Sequence, residues 1–179
     1  PLSLSEGRRK AVALECEKKG FSIVQVDTVI ENENDAQKAL KELEELGVNA
    51  LVVYLGNFGP EGHETMLAQK FTGPSMYVAA AEETGDNLIQ GRGDAFCGML
   101  NASYNLGLRN LNPYIPEYPI GTPLEIAAMI YEFLNISRIL LGLKQLKIFS
   151  FGPRPQDFLA CNAPIKPLFD LGVEIMENS

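Results

Sequence analysis

The chain has 179 residues, of which 46% are hydrophobic and 21% are charged, so a disordered or collagen-like protein is excluded. Fifteen Lys and Arg residues against 23 Asp and Glu residues give a net charge of −8. This acidic balance predicts neither a nucleic-acid partner nor binding to an anionic membrane surface. No apolar run reaches 18 residues, so no membrane span is predicted. Three widely spaced cysteines without a CxxC pattern favour a reduced, cytoplasmic protein over a disulfide framework or a zinc site.

Helical and strand patterns alternate from the start of the chain. Apolar spacing predicts a first helix that ends at Gly20 and a strand over residues 21–26, where the sequence is FSIVQV. A second helix, capped by Asn34 and Asp35, is predicted to end at Gly47. The aliphatic run at residues 50–55 is typical of a parallel strand covered on both faces.

The alternation continues through the second half. Four prolines in residues 112–123 indicate an extended connection, and Thr122, Pro123 and Glu125 form a strong helix-start signal. The remaining predicted elements are helices over 61–71, 94–106 and 122–141, strands over 75–80, 147–151 and 173–176, and a partly helical segment over 156–171.

These elements predict an α/β protein with an open, doubly wound (Rossmann- or flavodoxin-like), mostly parallel sheet, followed by the start of a second α/β unit. We place the first domain, including a long connecting helix, at residues 1–143 and the incomplete second unit at residues 144–179. Because a doubly wound sheet normally begins with a strand, we also expect a strand before residue 1 and further structure after the last strand.

Polar side chains follow three of the predicted strands. In open α/β sheets ligands bind at the carboxyl ends of the strands. Asn57, Phe58 and Glu61 follow the strand at 50–55, Glu82 follows the strand at 75–80, and Arg154 follows the strand at 147–151. We therefore predict that these five residues contribute to a site for a polar ligand.

Each of these residues also has a structural interpretation. Phe58 can be packing at a strand end, Glu61 and Glu82 can be solvated or can stabilise a helix N-terminus, and Arg154 is held stiffly between two prolines. His63, the single histidine, has no apparent Ser or Cys partner. Neither a phosphate-binding loop nor a metal-ligand cluster is recognisable, so the residues alone predict no catalytic set and no metal ligand.

Three segments carry a resemblance to a known family. They read YLGNFGPE at 54–61, RGDAFCG at 92–98 with LNAS at 100–103, and FSFGPR at 149–154. In this order they resemble the N-terminal region of the L-fucose/L-arabinose isomerase family, and the resemblance covers most of the chain.

The resemblance implies a metal-dependent aldose–ketose isomerase. In such an enzyme manganese coordinates two sugar oxygens, and carboxylates move a proton between C1 and C2 of the sugar. The resemblance also implies that the manganese ligands belong to later domains, so that this chain alone is inactive. It implies further that the chain helps to close the monosaccharide site of a homo-oligomer, a trimer or hexamer. By the same resemblance, Asn57, Phe58, Glu61 and Arg154 lie in the family's strand-end regions.

Two other functions compete with this one. A sugar-binding or regulatory α/β module without catalysis shares the same alternation of strands and helices and would bind sugar without metal. A flavodoxin-like enzyme is a third hypothesis, but no Thr/Ser-rich phosphate-binding loop is visible. The sequence does not indicate which sugar is handled, because epimer selectivity depends on a few hydrogen bonds.

Overall fold

A computed structural model describes residues 2–82, 93–152, 156–161 and 164–178, and the chain divides into two compact units, Pro1–Leu134 and Asn135–Ser179. The described helices are α1 (Leu2–Lys18), α2 (Glu33–Glu45), α3 (Glu61–Lys70), α4 (Ala95–Leu108), α5 (Pro123–Leu143) and α6 (Lys166–Asp170), with a short 3-10 helix at Leu159–Cys161. The described strands are β1 (Leu51–Leu55), β2 (Ser75–Ala80), β3 (Ile120–Gly121), β4 (Lys147–Phe151) and β5 (Glu174–Asn178).

The first unit is built on a three-stranded parallel sheet with the order β1-β2-β3. Leu51 lies beside Ser75 and Leu55 beside Ala79, so β1 and β2 end at the same edge. The α/β prediction and its parallel pairing are confirmed. The doubly wound arrangement remains a prediction.

Helices cover both faces of this sheet. On β2, Tyr77 and Ala79 pack in a cluster with α2, α3 and α4, whereas Met76 and Val78 pack with α1 and α5. Successive residues of a strand point to opposite faces, which explains this division. All four side chains are fully buried, as the near-continuous apolar sequence of β2 predicts.

The predicted strand at residues 21–26 is wrong, since the structure assigns these described residues to no strand. Their alternation is satisfied by packing instead: Phe21 and Ile23 contact the α1/α5 cluster, and Val26 contacts the α2/α3/α4 cluster. Side chains form hydrogen bonds with backbone groups of this segment that would otherwise pair with a neighbouring strand. Arg9 Nη1 donates to the Val26 carbonyl at 2.7 Å, and the Glu42 carboxylate accepts from the amide of Asp27 at 2.6 Å.

β3 lies inside the segment predicted to be only an extended connection. The proline-rich segment runs along β2, where the Tyr77 amide donates to the Tyr114 carbonyl and the Ala79 amide to the Pro119 carbonyl. Proline has no amide hydrogen, so such a segment can pair only in places and at a sheet edge. The helix after it starts as predicted, because Glu125 Oε2 accepts from the Thr122 amide at 2.8 Å in a capping box.

The second unit holds a two-stranded parallel sheet of β4 and β5, with Lys147 beside Glu174 and Phe151 beside Asn178. The predicted strand at 147–151 is confirmed, and the last strand begins one residue later than predicted and extends to Asn178. Among the described residues of the second unit, Val173 is the one apolar residue that is fully buried.

α5 is the one helix in the described part of the chain that is long and apolar enough to cross a membrane, judged by length and composition alone. Core helices of soluble proteins pass the same test. Here Ile126, Ala127, Ile130 and Phe133 are buried in the α1/α5 cluster against the sheet. The absence of a membrane partner stays a prediction.

Gly73 lies in the turn between α3 and β2, where a side chain would collide with the Asn49 carbonyl oxygen and the Phe71 ring. We expect Gly73→Ala to lower the free energy of unfolding by about 2 kcal/mol, the cost of overpacking a tight site. Gly7→Ala is the matched control. Its added Cβ meets nothing within 4 Å on helix α1, so it should raise that free energy by up to about 1 kcal/mol. Urea unfolding followed by circular dichroism measures both, and equal stabilities would contradict the prediction.

Candidate functional site

The candidate site lies at the common carboxyl edge of β1 and β2. Residues 56–60 leave β1 and lead into α3, Ala81 and Glu82 leave β2, and Gly93 and Asp94 lead into α4. The sequence places Asn57, Phe58 and Glu82 at this edge, and the structure brings them into one network through residues that the sequence did not single out.

Arg8 of α1 joins both strand ends. Its Nη1 donates to the Gly56 carbonyl at 2.7 Å, and its Nη2 lies 3.3 Å from Oε2 of Glu82. The side chains are only 11% and 20% exposed, so this ion pair is shielded from solvent. The other oxygen of Glu82, Oε1, accepts from the Ala95 amide at 2.7 Å. Glu82 therefore ties the first turn of α4 to α1 and β1.

Asn57 holds the β1 loop against the start of α4. Its Oδ1 accepts from the Phe58 amide and from the Asp94 amide, each at 2.8 Å. The second bond takes up one of the free amides at the beginning of α4. The Asn57 oxygen is thus committed to the protein itself.

Two glycines allow these elements to approach closely. A Cβ at Gly93 would stand 2.5 Å from Arg8 Nη1 and 3.0 Å from Glu82 Oε2, directly in the ion pair. A Cβ at Gly98 would stand 3.3 Å from the Phe58 Cα. A side chain at either position would push α4 away from the strand ends.

Phe58 and Glu61 face outward from this framework. The Phe58 ring is 51% exposed, and Glu61 is exposed in the first turn of α3. A half-exposed aromatic ring on a braced loop offers a flat apolar surface next to polar backbone. That combination suits a ligand with both C–H faces and hydroxyl groups.

Tyr54 lies beneath the network on β1. Burial raises the pKa of its hydroxyl to about 12, with smaller opposing influences from Arg8 and Glu82. Tyr54 therefore stays protonated at neutral pH and is a neutral neighbour of the Arg8–Glu82 pair.

Glu64 is a second unforeseen residue, in the first half of α3. Its side chain is almost fully buried, and its Oε1 finds no hydrogen-bond partner among the described residues. Oε2 lies 2.7 Å from the position that a Cβ would take on Gly59, so the carboxyl group sits under the β1 loop. Burial, and secondarily the charge of Glu61, raises the pKa of Glu64 to about 7.

No group of three or more His, Cys, Asp or Glu residues that could hold a metal ion occurs within residues 2–82, 93–152, 156–161 and 164–178. The described residues thus do not fit a manganese site, and we derive no chemical step through a metal on this chain. Arg154, the fifth predicted site residue, lies outside the described residues.

A family model described as "fucose/sulfoquinovose isomerase, N-terminal domain" matches residues 1–144. The chain belongs to this family. The match confirms the family resemblance, contains the first two of its three motif segments, and identifies this protein as a sugar isomerase family member. No curated protein matches the chain.

Within this isomerase-family domain, the residues that brace the site come from distant parts of the chain. Arg8 precedes Gly56 by 48 residues and Glu82 by 74. No local pattern marks such contacts. Glu64 carried no signal either, because a glutamate in the first turns of a helix is ordinary.

Proposed function

We propose that this domain forms one wall of the monosaccharide site of an aldose–ketose isomerase of the L-fucose/L-arabinose type. The observation that carries the proposal is the braced β1 loop, which presents Phe58 at the carboxyl edge of a parallel sheet in a family of sugar isomerases. The Phe58 ring would lie against the C–H face of the sugar. Glu61 would accept hydrogen bonds from hydroxyl groups, and Glu82 would hold the strand ends and α4 in place through Arg8 and the Ala95 amide. Arg154 stays a predicted site residue.

The proposed division of labour follows from the absence of a ligand cluster among the described residues. In an isomerase of this type, bound manganese would supply Lewis-acid polarisation of the sugar carbonyl. We propose that its ligands lie outside this chain and that the chain's own part is to position the sugar and to exclude water from one side. We further propose a cytoplasmic homo-oligomer, a trimer or hexamer; the free thiols of Cys16, Cys97 and Cys161 support a reducing compartment.

The test of the wall uses the 179-residue chain and its backbone amide NMR spectrum. Millimolar L-fucose or L-arabinose should shift the amide signals of residues 56–59, and Phe58→Ala should abolish the shifts. Tyr131→Ala is the matched control, because Tyr131 is 53% exposed and lies on α5, a helix that contributes no residue to the candidate site. Shifts that persist in Phe58→Ala would contradict the proposal.

A second measurement separates an isomerase domain from a sugar-binding module. With manganese and L-fucose, L-arabinose or sulfoquinovose, the chain alone should form no ketose. Turnover by the chain alone would contradict the proposed division of labour. Micromolar, metal-independent sugar binding in a calorimeter would favour the sugar-binding module instead.

A further inference from the structure

Helix α4 is unlike the other helices of the first unit, because its sequence AFCGMLNASYNLGL contains no charged residue. One side of it is core, with Met99, Ala102 and Leu106 buried against the sheet. The opposite side is apolar as well and faces outward. Asn101, Ser103 and Asn105 lie between these two apolar sides. An apolar side of a helix normally packs against another element. The outward side of α4 therefore has the apolar composition that is typical of an interface.

Five exposed residues define this surface, which we name the α4 face. The exposed fractions are 52% for Phe96, 55% for Leu100, 69% for Tyr104, 64% for Leu108 and 75% for the neighbouring Tyr118. Its three aromatic rings together expose the equivalent of two whole aromatic side chains, or roughly 300–500 Å². With the leucines added, the α4 face is as large as the largest apolar patch of an average monomer, about 300–600 Å², and such a patch is often functional.

The spacing of the helical residues allows the α4 face to pack on a second copy of itself. Phe96, Leu100, Tyr104 and Leu108 form one row with a spacing of four, the ridge that packs into the groove of a second helix. The row is symmetric about position 102. In an antiparallel pair of α4 helices, position 100 meets position 104 of the other copy, and position 96 meets position 108. A two-fold interface requires this reciprocity.

The distribution of charge over the chain also favours association through the α4 face. The chain carries −8, so two copies repel each other over most of their surface. The row on α4 adds no charge to that repulsion, and Glu117 is the one charged residue among those that line the adjoining groove.

Size is consistent as well. Two α4 faces packed on each other would bury on the order of 1,000 Å², the area that a specific interface needs. Beside the row runs a groove of about 330 Å³, lined by Phe96, Leu100 and Ser103 of α4 and by Glu117, Tyr118 and Ile120. The groove has room for a large side chain from the opposing helix.

We propose that the α4 face is a two-fold interface with a second copy of this chain, formed by antiparallel packing of α4 on α4. The proposal rests on the homo-oligomer proposed above and names one of its surfaces; a two-fold contact joins two trimers in a hexamer and does not occur within a single trimer. Its test measures association and uses no sugar, so it can fail while the proposed wall of the sugar site holds, and the reverse.

The experiment is sedimentation equilibrium of the 179-residue chain over the micromolar range. The wild-type chain should be a dimer, and Leu100→Glu should weaken association by at least about tenfold, because it buries an unpaired charge at the centre of the interface. Leu14→Glu is the matched control: Leu14 is 52% exposed on α1, which packs on the other side of the sheet. It should dimerise like the wild type. Circular dichroism melting checks that every variant is folded.

The double variant Leu100→Lys/Tyr104→Glu tests the antiparallel geometry. It places opposite charges at positions that face each other across the two-fold axis, so it should regain association that either single variant loses. A monomeric wild-type chain, or a Leu100→Glu chain that associates like the wild type, would overturn the interface. A folded double variant that stays monomeric would overturn the antiparallel pairing.

Discussion

Replacing Glu64 by glutamine should raise the free energy of unfolding at pH 8 by about 3 kcal/mol, and by less than about 1 kcal/mol at pH 5. Glutamine has the shape of the protonated carboxyl group but carries no ionisable proton. The change therefore removes the cost of holding a carboxylate in a nearly closed, apolar position under the β1 loop.

The sign follows from the two pKa values. Burial raises the pKa of Glu64 from 4.5, its ordinary value, to about 7 in the folded chain. Between these values the folded state binds the proton more tightly than the unfolded state does. The contribution of Glu64 to stability is therefore complete below pH 4.5 and is lost as the pH rises towards about 7.

Urea unfolding at pH 5 and pH 8 measures this difference. Glu44→Gln is the control, because Glu44 is exposed on α2 and is not among the groups that raise the pKa of Glu64, so it should leave the stability nearly unchanged at both pH values. A Glu64→Gln chain with the pH dependence of the wild type would show that the carboxyl group is solvated or paired in the folded state.

Removing the carboxylate of Glu82 should lower the free energy of unfolding by about 3 kcal/mol, because Glu82→Ala leaves a shielded arginine without its counter-ion. It also deprives the Ala95 amide of its acceptor at the start of α4. Glu82→Gln can still accept from that amide, so it should recover part of the loss.

A surface pair provides the comparison. Glu6 Oε1 and Lys10 Nζ are 2.6 Å apart on α1, but both side chains are more than half exposed, so Glu6→Ala should cost far less stability than Glu82→Ala. Denaturant midpoints of the three variants measure the contrast. If Glu82→Ala were as mild as Glu6→Ala, the Arg8–Glu82 pair would have no part in holding the strand ends together.

The parts of the fold that the sequence predicts well are those with strong local signals. The apolar runs at 50–55 and 75–80 form strands close to their predicted bounds. Helix α2 ends just before the predicted glycine, and α5 begins at the predicted Thr122–Glu125 signal. The strand predicted at 21–26 does not form. Alternation of apolar and polar residues shows only that side chains point in two directions, whereas a strand also needs a hydrogen-bonded backbone partner. β3 was missed for the opposite reason, since prolines hide a pairing that only β2 makes possible.

The candidate site was predictable in its location and not in its construction. The rule for parallel sheets placed Asn57, Phe58 and Glu82 at one edge, and the structure places them there. What each side chain does depends on partners far away in the chain, Arg8 above all. Asn57 was predicted to contribute to a site for a polar ligand, yet its oxygen accepts from the Asp94 amide at the start of α4, which leaves Phe58 as the more available ligand surface.

The central position of β2 has a consequence for local opening. Among the described strands of the first unit, β2 has hydrogen-bonded neighbours on both sides and helices over both faces. Exposing its amides to deuterium requires separating two ladders and two layers at once. Deuterium uptake should therefore be slowest at Tyr77 and Ala79 and much faster at residues 22–26, whose amides have no ladder to protect them.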